Sequence, residues 1–176
     1  MKRYIPYVLI ALVVSMSLFI YTVPTVMDRF PATGYIVAFL QQVLASVSGF
    51  IFHMIGLNGA VVDKTVIHLN TLAIRIDTEC GGYRSLVAFA LLSIVICSSF
   101  TKDWRGFVVA FFLGIVAALI KNVIRILYLG IILNAGYSKN IVEEPWHSIA
   151  GLVVFSIIFT AYYFTTRGLL NKLRLA

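Results

Sequence analysis

The chain has 176 residues, 61% of them hydrophobic and only 12% charged, with a mean hydropathy of +0.98. That balance excludes an ordinary soluble domain and fits an integral membrane protein whose apolar runs need lipid or each other. The formal net charge of +7 does not indicate nucleic acid: the basic residues form no stripe with interleaved aromatics, but flank the apolar segments as topology signals do. The length suits a single integral membrane domain, 1–176, with one small polar excursion, and no internal repeat or low-complexity tract is visible.

Met1, Lys2 and Arg3 precede an apolar run at 4–23. The run is long and no clear small-x-small site follows, so it reads as a retained anchor and not a cleaved signal. Residues 35–57 follow. There the small and polar residues Gln42, Ala45 or Ser46, Gly49 and His53 recur every three to four positions, leaving Phe39, Val43, Val47, Phe50 and Met54 for the opposite face. This is helical amphipathicity, read as an outer-interface or partly re-entrant helix. A true fifth span, with the N-terminus outside, is the competing topology.

The period then changes. The stretches 61–69 and 72–77 are rich in β-branched residues, and Leu72, Ile74 and Ile76 alternate with Ala73, Arg75 and Asp77 as in a half-buried strand. With Asn70 and Thr71 as a tight link, a short β-hairpin above the membrane is expected over 60–78. Its role is either a lid or a flank for an entering substrate strand.

Three more apolar segments, at about 82–100, 106–127 and 148–165, each approach the ~20 residues that a helix needs to cross the hydrocarbon core. The expected fold is therefore an all-α polytopic membrane protein: four spanning helices, an interfacial or spanning amphipathic helix, and a small extracytoplasmic hairpin. Lys2 and Arg3, then Lys102 and Arg105, then Arg167, Lys172 and Arg174 stand at ends assigned to the cytoplasm. Residues near 80 and the 137–147 loop then share the outer face, in a multi-pass plasma-membrane protein.

The chemistry starts at Glu79-Cys80-Gly81-Gly82-Tyr83-Arg84-Ser85-Leu86. A thiol becomes a nucleophile when its thiolate is stabilised, and a helix N-terminus beside a cation does that. Taken alone, Cys80 would better suit a small buried hydrophobe at the end of a loop, and only its company elsewhere in the chain reverses that. Cys97 lies 17 positions further along the same expected helix, about 25 Å along its axis, so no disulfide joins the two.

The third long segment carries Lys121, Asn122 and Arg125, polar residues where a charge costs at least ~2.5 kcal/mol unless it gains a partner or water. Their spacing puts them on one side of a helix. Arg125, 19 residues from Gly106, reaches about 28 Å, the level assigned to Cys80. Alone it would be an arginine snorkelling to headgroups. The outer loop ends in Glu143-Glu144-Pro145-Trp146-His147, directly before the last span. A thiol, an imidazole and a guanidinium at one depth form an acyl-transfer set, in which nucleophile, proton carrier and oxyanion partner are all present. His53 and His68 lack such company and read as structural. Scattered histidines without a carboxylate at ligand spacing argue against zinc, and the proposed chemistry requires no cofactor.

These islands resemble the exosortase/archaeosortase family of membrane cysteine transpeptidases: Cys80-Gly81-Gly82-Tyr83-Arg84-Ser85-Leu86, then Asn122-Val123-Ile124-Arg125-Ile126, then His147-Ser148-Ile149-Ala150-Gly151. The resemblance covers about 79–159. It implies Cys80 as nucleophile, His147 as acid and base, and Arg125 as transition-state stabiliser, with Arg84, Asn122, Gly81 and Glu79 in supporting or substrate-binding positions. It also implies protein substrates carrying a C-terminal signal of motif, membrane helix and basic tail. Such a substrate is cleaved through a thioester and passed to an amine, for example that of a lipid headgroup, or to water. From a different class, the alternative is a small transporter or assembly subunit in which Lys121 and Arg125 line an anion path; an interaction scaffold indifferent to Cys80 is a third reading.

Overall fold

The computed structural model describes residues 31–70, 72–76, 83–100, 103–137 and 146–173, with side chains described except at 31–33, 84, 95–100 and 146–150. The expected span at 4–23 lies outside the described residues. Within them the chain forms four helices and a small sheet: α1 (Pro31–Met54), β1 (Ala60–Val62), β2 (Val66–His68), β3 (Ala73–Arg75), α2 (Tyr83–Phe100), α3 (Trp104–Asn134) and α4 (Trp146–Lys172).

Three of these helices contain stretches long and apolar enough to cross a membrane, at Gly34–Met54, Trp104–Asn134 and Gly151–Lys172. In α2 the described apolar stretch is shorter, Ser85–Ile94. The protein is a multi-pass membrane protein, mostly helical.

Helix α3 is the axis of the bundle, with α2, α4 and α1 all packed against it. It is longer than the 106–127 segment expected from the sequence. At its start the Asp103 side chain accepts the backbone N–H of Arg105 at 3.0 Å, satisfying one of the orphan donors of the first turn. At its end the apolar run continues through Ile131–Leu133, and the helix stops only at Ala135 and Gly136, whose φ of 90° suits a residue without a Cβ. Gly130 does not break it. A side chain there would collide with the ring of Phe52, so the glycine is where α1 comes closest.

Helix α1 presents Val37, Leu40, Leu44, Ala45, Ser48, Gly49 and Phe52 inward and Tyr35, Phe39, Phe50 and Met54 outward. The large apolar face is indeed on the outside. The inward stripe keeps Ala45 and Gly49 of the one read in the sequence, but not Gln42, Ser46 and His53, which are exposed. Leu44, Ala45 and Phe52, and not Gln42, Ser46 or His53, share the core with α3. From the Phe52–Gly130 contact both helices run back in the same direction, with Leu44 and Ala45 sharing a core with Leu119, Val123 and Ile126. Pro31 is then about 31 Å from that contact and Trp104 about 39 Å, so α1 traverses most of the bundle's thickness as a spanning helix does.

The hairpin expected over 60–78 is a three-stranded antiparallel sheet in the order β1-β2-β3. The link at Asn70 holds, with Leu69 donating to the Leu72 carbonyl at 2.7 Å. The difference lies at Asp63 and Lys64, both with positive φ, which turn the supposed single strand 61–69 back on itself. Polar residues that tolerate or are forced into left-handed backbone interrupt a β-branched run. The sheet buries Ile67, Leu69 and Ile76 against Leu44, Ala45, Phe52 and Ile126. Gln41 of α1 donates to the Ile76 carbonyl at 3.0 Å, tying the exit of β3 to the bundle.

A second core joins α2, α3 and α4 through Phe89, Ala117, Ala118 and Tyr162. At its base Tyr162 donates to Ser93 Oγ at 2.7 Å and to the Ala110 carbonyl at 3.1 Å, while Ser93 donates to the Phe89 carbonyl at 2.7 Å. Gly114 leaves room for this knot, because a Cβ there would strike Ser93 Oγ. Arg105, Arg167 and Lys172 lie beyond the knot at one end of the bundle; the sheet lies at the other.

Candidate functional site

The knot at Ser93, Ala110 and Tyr162 supplies a common origin for measuring height. Helix α3 runs from it toward the sheet end, while α2 and α4 run away from that end. Arg125 is fifteen residues from Ala110, and position 147 is fifteen residues from Tyr162; each is about 22 Å along its helix. Ser85 is eight residues from Ser93, about 12 Å, and Lys121 eleven from Ala110, about 16 Å. A helical side chain leans toward the N-terminus of its own helix, so Lys121 tilts back to the level of Ser85.

There the two helices are joined by a polar cluster in an otherwise apolar interface. Lys121 Nζ donates to Ser85 Oγ at 2.8 Å and to Asn122 Oδ1 at 3.4 Å. Ser85 Oγ in turn lies 3.4 Å from Asn122 Oδ1, as donor. The amide of Asn122 is held in orientation because its Nδ2 donates to the Ala118 carbonyl one turn back, at 2.9 Å. Lys121 is 6% exposed and Asn122 2%, so this is an interior arrangement and not a snorkelling one. Buried polar groups in hydrocarbon are retained when they are satisfied or are functional, and here one lysine and one amide are both engaged.

One turn further along α3, Arg125 is half-buried, and its Nε is enclosed without a hydrogen-bond partner among the described residues. An enclosed guanidinium N–H is a donor waiting for an acceptor. The acids among the described residues are Asp63, in the β1–β2 turn, and Asp103, at the start of α3. Among the described residues, no group of three or more His, Cys, Asp and Glu side chains stands together as a metal site requires.

Of the three polar residues expected on one side of α3, Lys121 and Asn122 join one cluster and Arg125 stands apart from it. Lys121 and Asn122 face α2, whereas the Nε of Arg125 is enclosed without a hydrogen-bond partner among the described residues. Ser85 belongs to the cluster although the sequence motif suggests no role for it; a serine one turn into an apolar helix, opposite a buried lysine, is the signal that would identify it. Cys80, Glu79 and Gly81 lie outside the described residues. Arg84 and His147 lie on α2 and α4, with side chains outside the described set. His53 and His68 are exposed, the former with Nδ1 at 3.2 Å from the Asn58 carbonyl.

A comparison with protein families matches residues 6–164 to the family described as transmembrane exosortase. Comparisons with curated proteins and with solved structures return no match.

Proposed function

The chain belongs to the transmembrane exosortase family, and from that premise we propose that it is a membrane cysteine transpeptidase that cleaves C-terminal sorting signals of exported proteins. The observation that supports this reading is the enclosed Arg125 Nε, without a hydrogen-bond partner among the described residues, on a residue whose Cα stands about 22 Å along α3 from the knot, as that of position 147 does along α4. Cys80 precedes Tyr83 by three residues, a tether of at most about 11 Å. Tyr83 itself is ten residues above Ser93, about 15 Å. A height of 22 Å is therefore within the covalent reach of Cys80.

In the proposed reaction the Cys80 thiolate attacks the scissile carbonyl, and the oxyanion that forms accepts a hydrogen bond from Arg125. His147 gives its proton to the departing amine as the C–N bond breaks, leaving a thioester on Cys80. An acceptor amine then attacks the thioester, its proton passes to His147, and the thiolate is released. A lipid headgroup amine is a fitting acceptor because it already lies at the interface, and water would give simple hydrolysis. A substrate helix anchored in the same bilayer raises the local concentration of the cleavage site. Arg105, Arg167 and Lys172 at the end away from the sheet support a cytoplasmic assignment for that end, and with it the reading of an extracytoplasmic site in the plasma membrane. Arg84, Glu79 and Gly81 support the thiol and the entering substrate.

The transporter alternative gains nothing from Lys121, which is buried and donates to Ser85 and Asn122 instead of lining an aqueous path. Co-expression with an exported protein bearing motif, membrane helix and basic tail tests the proposal. The wild-type chain shortens that protein, whereas Cys80→Ala, Arg125→Ala and His147→Ala accumulate it uncut. Full processing by both Cys80→Ala and Arg125→Ala would sink the enzyme reading.

A further inference from the structure

The sheet carries an inference that goes beyond the reaction and borrows from that reading only the name of the leaflet. Val61 of β1 packs beside Gly49 of α1, and Gln41 of α1 donates to the Ile76 carbonyl at 3.0 Å. The sheet therefore lies along the side of α1 and not beyond its end. Its inner residues Ile67, Leu69 and Ile76 are spent on the bundle core. The outer strand is apolar where a water-facing cap would be polar. Val61 is 39% exposed and Val62 43%, and Val47 and Phe50, to either side of Gly49 in the chain, are exposed on α1 as well. The apolar surface of β1 thus continues the lipid face of that helix.

Height decides which medium covers it. Gly130, beside Phe52, is twenty residues from Ala110 of the knot, about 30 Å along α3. Gly49 precedes Phe52 by three residues, so Val61 stands at about 25 Å. Arg105 and Arg167 are each five residues from the knot in the other direction, about 8 Å. The strand is then roughly 33 Å from the level of those cations, a little more than the ~30 Å of a hydrocarbon core and well inside the ~40–45 Å of a whole bilayer. Backbone chemistry points the same way. Among the described residues β1 is an edge strand, and an open sheet edge is not tolerated in hydrocarbon. Asp63 and Lys64, both exposed, follow it directly and are excluded from hydrocarbon by their charge. Side chains that water does not favour, on a backbone that hydrocarbon does not accept, belong in the layer between the two.

We infer that β1 and the Asp63–Lys64 turn lie among the phospholipid headgroups of the extracytoplasmic leaflet, with Val61 and Val62 against the first methylenes of the acyl chains. The sheet is an interfacial anchor and not a cap above the membrane. Lys64 can keep its ammonium at the level of the lipid phosphates while its stem lies on the apolar side. Arg125, at about 22 Å from the knot, then falls at the edge of the hydrocarbon core.

The test uses the full chain in a Cys80→Ser, Cys97→Ser background. Val62→Cys and Asn70→Cys are each labelled with a nitrobenzoxadiazole probe and placed in phosphatidylcholine/phosphatidylglycerol vesicles. Asn70 is the water-side reference, since its Nδ2 reaches the Gly56 carbonyl beyond the end of α1, at 3.4 Å. The probe at position 62 should be quenched more by a doxyl label near the lipid headgroup than by one near the chain end. Aqueous cobalt, present on both faces, should quench it several-fold less than the probe at position 70. Equal quenching by cobalt at the two positions, with none by either lipid label, would make the sheet a solvated cap and overturn the inference. Strongest quenching by the chain-end label would place the strand in hydrocarbon and overturn it too. Should Val62→Cys fail to accumulate, Lys64→Cys replaces it, and the same order of quenching decides. None of these readouts needs turnover, so losing the enzyme proposal would leave the inference standing.

Discussion

Replacing Gly114 by alanine, alone and combined with Ser93→Ala, measures the contact that sets the heights of Arg125 and position 147. A Cβ at Gly114 would meet Ser93 Oγ inside bonding distance, so α2 and α3 must separate or Ser93 must turn and drop its bonds. Overpacking of that kind costs about 1–3 kcal/mol. Ser93→Ala removes the acceptor of the Tyr162 hydroxyl, which keeps the Ala110 carbonyl at 3.1 Å. An interhelical hydrogen bond in a membrane is worth about 0.6 kcal/mol and at most about 1.7. Once Ser93 Oγ is gone, the new methyl's nearest neighbours are the Phe89 carbonyl at 3.3 Å and the residue-93 Cβ at 3.6 Å. These contacts need only small adjustment. Adding Gly114→Ala to Ser93→Ala should therefore cost no more than about 0.5 kcal/mol, a coupling of about 0.5–2.5 kcal/mol against additivity. Reversible unfolding with increasing SDS in mixed micelles reads all four corners of the cycle. Costs that add within about 0.5 kcal/mol would refute the claimed contact, and with it the common origin of the heights.

Phe52→Ala should cost about 3–5 kcal/mol in the same assay, because this fully buried ring fills the space between Gly130 and Ile74. Lys64→Gly should stabilise by up to about 1 kcal/mol, since Lys64 sits at φ 64°, whereas Lys64→Val should destabilise. In a background without Cys80 and Cys97, Gly34→Cys and Arg105→Cys should react with an impermeant maleimide from the same side of the membrane and Asn58→Cys from the other. Labelling of positions 34 and 58 from one side would restore the interfacial reading of α1.

Much of the architecture is legible in hydropathy because each long apolar run has to become a helix that satisfies its own backbone in lipid. The ends are less legible. Gly130 looks like a stop but is a packing notch for Phe52, and the positive-φ residue that ends α3 is Gly136. In α1 the sequence pattern finds the face of large apolar residues but only Ala45 and Gly49 of the buried line, because lipid accepts Phe39 and Phe50 as readily as a core does. The turn at Asp63 and Lys64 was hidden in a β-branched run. On the site, the expense of Lys121, Asn122 and Arg125 in hydrocarbon draws the eye to α3, where the first two meet Ser85 of α2. Its partner Ser85, and the Ser93–Tyr162 knot, are invisible without the packing, since isolated hydroxyls on apolar helices give no sign of what they will meet.

The central claim is that Cys80 carries the acyl group, and the most direct measurement is mass spectrometry of the Cys80 peptide. The chain is isolated at low pH after brief exposure to a membrane-anchored substrate with a C-terminal sorting signal. The account predicts a hydroxylamine-labile adduct on Cys80, equal in mass to the acyl portion of the cleaved substrate, and reduced at least a hundredfold in Arg125→Ala by loss of oxyanion stabilisation (about 10²–10³ for one donor). Substrate cleavage in the absence of any such adduct, or an adduct undiminished in Arg125→Ala, would contradict it.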